Sequence, residues 1–108
     1  MPITHETTEH VLNLLTTDVE VKVDVRGFNA VTVQAVEMEA AGGSPVLTVR
    51  RSNSGVDEAA LESATTLSAP GMTNKIDCSG FGFLHVVVTT AATTTGIWKL
   101  VICRKAVV

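Results

Sequence analysis

Residues 23–28 read VDVRGF and residues 76–81 read IDCSGF, so a chain of 108 residues contains nearly the same phrase twice. A single offset of 53 residues superposes the two phrases. It pairs Val23 with Ile76, Asp24 with Asp77, Gly27 with Gly80, Phe28 with Phe81, Val31 with Leu84 and Val33 with Val86. The repetition predicts two related halves, produced by internal duplication or by convergence within one sandwich. Each half is a strand, a Gly-Phe corner and two further strands.

The Gly-Phe corner has a physical role in such a fold. Gly27 and Gly80 can adopt backbone angles that other residues avoid, so the chain can turn there from one sheet to the other. We expect the aromatic ring that follows to close the end of the core. Asp24 and Asp77 precede the corners, where their carboxylates can accept hydrogen bonds from turn N–H groups. We favour this role over a paired-carboxylate active site, because symmetry-related halves usually place such residues far apart.

Alternation of apolar and polar residues identifies the strands. In VEVKVDV, residues 19–25, every second residue is Val and the residues between are charged, which is typical of a strand with one buried face. Five further segments resemble strands: AVTVQAVEM (30–38), VLTVRR (46–51), NKIDC (74–78), FGFLHVVVTT (81–90) and IWKLVICRK (97–105). The pattern predicts an all-β chain, in which residues 16–108 form one antiparallel β-sandwich of the jelly-roll or immunoglobulin-like type.

The last strands of the two halves align when one extra residue is allowed in the second turn, which sets VLTVRR against LVICRK. Cys103 then corresponds to Val49 and Cys78 to Val25, so we expect both cysteines to pack as small hydrophobic residues. A disulfide between them and a reactive thiol are the alternatives. The predicted core residues are Val21, Val23, Val25, Val31, Val33, Leu47, Val49, Leu84, Val86, Val88, Val101 and Cys103.

Two segments have no decisive pattern. Residues 10–15, HVLNLL, are compatible with an edge strand, a short helix or an arm, and residues 57–66 with helix, strand or loop. Because the start of the chain is polar, we interpret residues 1–15 as an N-terminal arm that reaches a neighbouring subunit or a surface beneath it. Val11 and Leu12 are the expected contact residues of this arm.

With the strand phase predicted above, the outward-facing residues of the two halves differ in polarity. Those of the first half are mixed in polarity, whereas those of the second half are mostly apolar. The second set is Phe83, His85, Val87, Trp98, Leu100 and Ile102. An antiparallel sheet of an isolated sandwich is normally solvated on one side. We therefore expect this face to be an interface, covered by another segment of the chain or by a second subunit.

Composition and motifs argue against several classes of function. The net charge is −3 and no stripe of Lys or Arg is present, so we expect no nucleic-acid partner. No apolar run approaches the ~18 residues of a membrane span, and the N-terminus lacks the basic start of a secretion signal. The three histidines are scattered, and no phosphate-binding, dinucleotide-binding or hydrolase motif occurs. We expect no metal, no cofactor, no membrane contact and no enzymatic activity.

The segments VDVRGFNAVTVQAVE, SPVLTVRRSNSG and IDCSGFGFLHVVVTTAATTTGIWKLVICR resemble small β-sandwich virion proteins of tailed bacteriophages. The shared features are an aspartate-x-x-glycine-aromatic corner, a strand rich in Val and Thr, and a strand that runs into R-x-S-N-x-G at residues 50–55. The resemblance covers most of residues 19–105.

This resemblance implies a structural protein of the virion, made in the host cytoplasm. Its best-fitting role is a capsid decoration or cement protein that forms a trimer or dimer and binds the major capsid protein. One alternative is a tail or fibre module that binds a host glycan. Another is a tail-tube or connector subunit, for which residues 53–72 are the candidate loop.

Overall fold

The chain folds as a sandwich of two antiparallel sheets in a computed structural model that describes residues 3–17, 20–53 and 62–107. The strands are β1 (Ile3–Asn13), β2 (Glu20–Asp24), β3 (Ala30–Glu39), β4 (Val46–Ser52), β5 (Glu62–Leu67), β6 (Gly71–Met72), β7 (Ile76–Asp77), β8 (Phe83–Thr90) and β9 (Ile97–Val107). Sheet A has the order β1-β9-β3-β6, with β7 also paired to β3, and sheet B has the order β2-β8-β4-β5. The predicted antiparallel β-sandwich is confirmed.

The two sheets repeat one another, as the duplicated phrase predicts. Sheet A contains the path β1-β9-β3-β7, and sheet B read in reverse is β5-β4-β8-β2. The offset of 53 residues aligns β3 with β8 and β4 with β9, which occupy equivalent positions in these two orders. The corners match closely, with φ of 86° at Gly27 and 85° at Gly80. At each corner the chain passes between the sheets through this left-handed conformation, which glycine adopts with little strain.

The first corner is closed by two short hydrogen bonds. The Phe28 N–H donates to the Val25 carbonyl at 3.0 Å, and the Arg26 N–H donates to Asp24 Oδ1 at 2.9 Å. The equivalent bonds of the second corner have the same lengths, 3.0 Å and 2.9 Å. The turn N–H groups thus have partners without help from the sheets.

The core lies between the sheets and contains nine of the twelve residues predicted for it. Val21 is partly buried, and Val101 and Cys103 are partly exposed on the outside of sheet A. The buried apolar residues are Leu12, Leu14, Val23, Val25, Val31, Val33, Ala35, Leu47, Val49, Leu67, Ile76, Cys78, Leu84, Val86, Val88, Ala92, Trp98, Leu100, Ile102 and Ala106.

The phase predicted for β9 is wrong. Its inward residues are Trp98, Leu100 and Ile102. The error comes from the extra residue allowed in the second turn, because the uninterrupted offset of 53 residues sets Val49 against Ile102, and both are buried. Since β9 has apolar residues on both faces, its own alternation does not reveal which face is buried.

The N-terminal segment predicted as an arm is instead the edge strand of sheet A. β1 pairs with β9 along its whole length. Leu12 and Leu14 are buried between the sheets, so the assignment of Leu12 to an external contact is wrong. These two leucines explain the pairing, because they add apolar burial that a detached arm would forgo.

The segment of residues 57–66 is a strand where the structure describes it. β5 pairs with β4 at the edge of sheet B. Residues 54–61 lie outside the described residues. In the described part of the chain, no helix has the length and hydrophobicity that crossing a bilayer requires.

Candidate functional site

The residues predicted as an apolar interface do not form one surface. Those of β9 lie in the core, where Trp98 is 2% exposed. Phe83 and Val87 are partly exposed on the outer face of sheet B, and His85 is buried between them. Val11 is exposed on sheet A, at the opposite side of the sandwich. The prediction of one exposed apolar face is therefore wrong, because the phase error in β9 assigned core residues to the outside.

Exposed apolar side chains instead collect on the outer face of sheet A. Val11 of β1 and Val36 of β3 flank Lys99 of β9 in register. The next outward row contains Val101 of β9 and Met72 of β6 together with the polar Glu9 and Gln34, and Glu9 lies 3.6 Å from the Lys99 amine. Val11 is 63% exposed and Met72 is 61% exposed. We call this surface the A face. It consists of these two rows and of the outward residues that continue them along β1, β9 and β3.

The A face is charged differently at its two ends. At the end near the Gly27 corner, Lys105 lies opposite His5, and Lys75 lines with them a surface cavity of about 390 Å³. Neither lysine forms an ion pair within the described residues, but Asp77 lines a neighbouring surface cavity with both, and the charge of Lys75 helps to lower the pKa of Asp77. At the other end, Glu39 of β3 continues the face.

A hydrogen-bonded network crosses three strands of sheet B. His85 Nδ1 lies 2.8 Å from Glu20 Oε1, and His85 Nε2 lies 2.8 Å from Ser52 Oγ. These residues occupy outward positions of β2, β8 and β4. His85 is 1% exposed and Ser52 is 3% exposed. The sequence predicts an outward His85 and misses its partners, because these lie 65 and 33 residues away and only the strand register brings them together.

The order carboxylate, imidazole, hydroxyl is that of a nucleophilic triad, in which the imidazole accepts the hydroxyl proton and the carboxylate holds the ring. A triad also needs space for a substrate at the hydroxyl and donors for an oxyanion. Ser52 is almost fully buried, and neither Ser52 nor His85 lines the surface cavities beside Lys75 and Lys105 or the one beside Arg51. The geometry instead ties β2, β8 and β4 together through satisfied buried polar groups.

The carboxylates of the two corners are held in their charged form. The side-chain hydrogen bond from Arg26 lowers the pKa of Asp24 from 3.8 to about 2, and the Arg26 backbone N–H adds to the effect. The backbone N–H of Ser79 lowers the pKa of Asp77 in the same direction. Both groups therefore act as hydrogen-bond acceptors at neutral pH and not as proton donors.

The two cysteines are free and lie in different surroundings. Cys78 is buried, and burial raises the pKa of its thiol from 9.0 to about 11, so it stays protonated and packs as a small apolar group. Cys103 lies on the A face, which corrects its predicted position in the core. Across the described residues, no group of three or more His, Cys, Asp or Glu side chains is arranged to hold a metal ion.

No family model and no curated protein matches the chain. Solved structures do match it. The SPBc2 prophage-derived protein YomS has a TM-score of 0.60 at 8% identity, covering 94% of this chain and 96% of its own. A chain of the cyanophage Pam1 capsid asymmetric unit has a TM-score of 0.55 at 14% identity, with coverages of 95% and 82%. CBM29_1, a family 29 carbohydrate binding module from Piromyces equi, has a TM-score of 0.58 at 13% identity, with coverages of 99% and 93%. At these identities the similarity shows a shared fold.

Proposed function

We propose that the chain is a non-enzymatic structural protein of a phage particle, a capsid decoration or cement protein that binds the major capsid protein and stabilises the head. The observation that carries the proposal is the fold shared, over nearly the whole chain, with a prophage protein and with a chain of a phage capsid. The corner and strand motifs of the sequence point to the same class. Its place is the virion, after synthesis in the host cytoplasm.

The surface of the molecule supports a role in assembly. Exposed Val11, Val36 and Met72 share the A face with an ion pair between Lys99 and Glu9 and with Lys105, which forms no ion pair within the described residues. Contiguous apolar patches larger than a few hundred Å² are rare on proteins that work as monomers. A protein that coats a shell needs such surfaces, since it acts through contacts with its own copies and with the capsid.

The chemistry of sheet B supports a non-enzymatic role. Ser52 and His85 of the Glu20–His85–Ser52 network are buried, and a buried hydroxyl leaves no room for a substrate to react with it. The proposal therefore includes no cofactor, no metal, no nucleic acid and no membrane.

The glycan-binding alternative draws on the similarity to a carbohydrate binding module. Such modules need exposed aromatic faces for sugar rings. Trp98 is in the core, and the rings of Phe28 and Phe81 lie against the guanidinium groups of Arg104 and Arg51, respectively. The remaining aromatic residue, Phe83, is only partly exposed, with the Arg26 guanidinium 5.4 Å from its ring centroid. The described residues therefore give this alternative less support.

The connector alternative rests on a long loop at residues 53–72. Within it, Glu62–Leu67 and Gly71–Met72 are strands of the sandwich. They contribute to the fold and not to a free loop, which weakens this alternative.

Purified particles of a phage that encodes this chain test the proposal. Heads and tails are separated, and each fraction is quantified by mass spectrometry. We expect the chain in the head fraction, in a simple ratio to the major capsid protein, and we expect heads that lack it to release DNA at a lower temperature. Presence in tails alone, together with binding of the purified protein to host polysaccharide, would favour the glycan module instead.

A further inference from the structure

We propose that the A face binds a second copy of this chain, related to the first by a two-fold axis that lies between the facing sheets. The inference rests on the proposed function, because a protein that stabilises a head through oligomer contacts needs such an interface. It adds which surface makes the contact and what covers it.

The first argument is the distribution of exposed apolar side chains. Among the described residues, five large hydrophobic side chains are exposed, from 37% for Val36 to 63% for Val11. Val11, Val36 and Met72 lie on the A face, Met38 lies further along β3, and Leu15 follows β1 at the same end of the sheet. The outer face of sheet B contains none of the five. Since one face of each sheet already covers the core, this contrast indicates that the A face is the one that meets a partner.

The second argument is charge. Lys75 and Lys105 lie at the corner end of the A face, and Glu39 lies at the other end. A two-fold axis across the strands reverses the strand direction of the second copy. The axis therefore places the basic end of each copy over the acidic end of its partner, and the dimer contains two such contacts. Asp77 also lies at the corner end, which leaves one lysine there in excess. Lys105, which forms no ion pair within the described residues, gains a carboxylate in the dimer.

The third argument is size. β1 and β9 have 11 residues each and β3 has 10, which at ~3.3 Å per residue gives a face roughly 33 Å long. Four strands at a spacing of ~4.8 Å make it about 19 Å wide. Covering this area on both copies buries roughly 1,200 Å², the lower end of the range for specific interfaces. By this estimate the A face is just large enough for a dimer.

Light scattering with size-exclusion chromatography over a concentration series tests the inference on the purified full chain. We expect a dimer whose dissociation constant rises roughly tenfold or more in Val36→Glu, because the change replaces an exposed apolar contact in each copy by a carboxylate that the interface would bury. The matched control is Thr66→Glu, which adds the same charge at an exposed position on the outer face of sheet B and should leave the dimer unchanged. Circular dichroism verifies that both variants remain folded.

A charge-reversal pair provides a test that does not depend on the apolar contacts. Lys105→Glu and Glu39→Lys should each weaken the dimer, and the double variant should restore it, because opposite charges face each other again. Lys105→Glu changes the net charge from −3 to −5, Glu39→Lys changes it to −1, and the double variant returns it to −3. Weakening in Glu39→Lys is therefore the specific result, because a general effect of net charge would strengthen association in that variant.

A monomer at high concentration, a trimer, or a dimer that Val36→Glu leaves intact would each overturn the inference. The test separates this inference from the proposed function. A monomeric protein that still occupies purified heads would overturn the dimer and leave the function standing. A dimer that is absent from every particle fraction would support the interface and contradict the function.

Discussion

Arg104, near the end of the chain, lies over the ring of Phe28 in the first half, with 4.8 Å between the guanidinium carbon and the ring centroid. The same guanidinium donates to the Asp24 carbonyl at 2.8 Å. The 53-residue offset carries this arrangement onto Arg51 and Phe81, which are 4.6 Å apart. Each half of the chain therefore closes the corner of the other half, which couples the two repeats into one cooperative fold.

Replacing either corner arginine by lysine should destabilise the protein. A lysine retains the charge but loses the planar guanidinium that lies on the ring while donating to the backbone. We expect Arg51→Lys and Arg104→Lys each to lower the free energy of unfolding by about 1–2 kcal/mol, measured by urea denaturation. Arg50→Lys is the matched control, expected within about 0.5 kcal/mol of the unaltered protein. An equal loss in the control would show that the corner contacts are not the cause.

A side chain at either corner glycine should fit without a clash but should strain the backbone. At Gly27 and Gly80 an added Cβ meets nothing within 4 Å, so the penalty comes from φ near +86° alone. We expect Ala at either position to lower the unfolding free energy by about 1–2 kcal/mol, and Asn to lower it less, because Asn visits this conformation more readily. Thermal and urea unfolding of the four variants check the order. Equal losses for Ala and Asn would refute the backbone explanation.

The parts of this fold that the sequence predicts are those with local physical causes. The alternation in residues 19–25 and the repeated corner depend on neighbouring residues only. The A face also had a local signal, since Val36 breaks the polar phase of β3. The Glu20–His85–Ser52 network had none, because it exists only in the register of three strands that are distant in sequence. The inward face of β9 was predicted wrongly for a related reason, because apolar residues on both faces of this strand remove the alternation.

Asp24 should give the protein an acid-sensitive component of stability. Its pKa is lowered to about 2 in the folded state from 3.8, so its contribution is present above 3.8 and is lost as the pH falls through about 2. Melting temperatures of the unaltered protein and Asp24→Asn should therefore differ at neutral pH and converge towards pH 2. The difference should also shrink in high salt, because the Arg26 pair is solvent-exposed. A gap that stays constant with pH would contradict the charged carboxylate as its source.

The two cysteines should differ in reactivity. Cys103 is partly exposed on the A face, whereas Cys78 is buried with the pKa of its thiol raised to about 11. A maleimide should modify Cys103 in the native protein and Cys78 only after unfolding, as read by mass spectrometry of peptides. Cys78→Val should leave stability nearly unchanged, because the aligned position in the other half is Val25. Rapid native labelling of Cys78 would show that its part of the core opens readily.

The Glu20–His85–Ser52 network should stabilise the fold without acting as a nucleophile. Ser52→Ala removes the hydroxyl 2.8 Å from His85 Nε2, and we expect a loss of about 1–3 kcal/mol because a buried polar atom loses its partner. Combining Ser52→Ala with His85→Leu should cost less than the sum of the two single changes, because the second change removes the group that the first left unsatisfied. A fluorophosphonate probe should not label Ser52, since its hydroxyl is closed off from solvent. Labelling that disappears in His85→Gln, while the variant remains folded, would instead identify Ser52 as an activated nucleophile and contradict the non-enzymatic role.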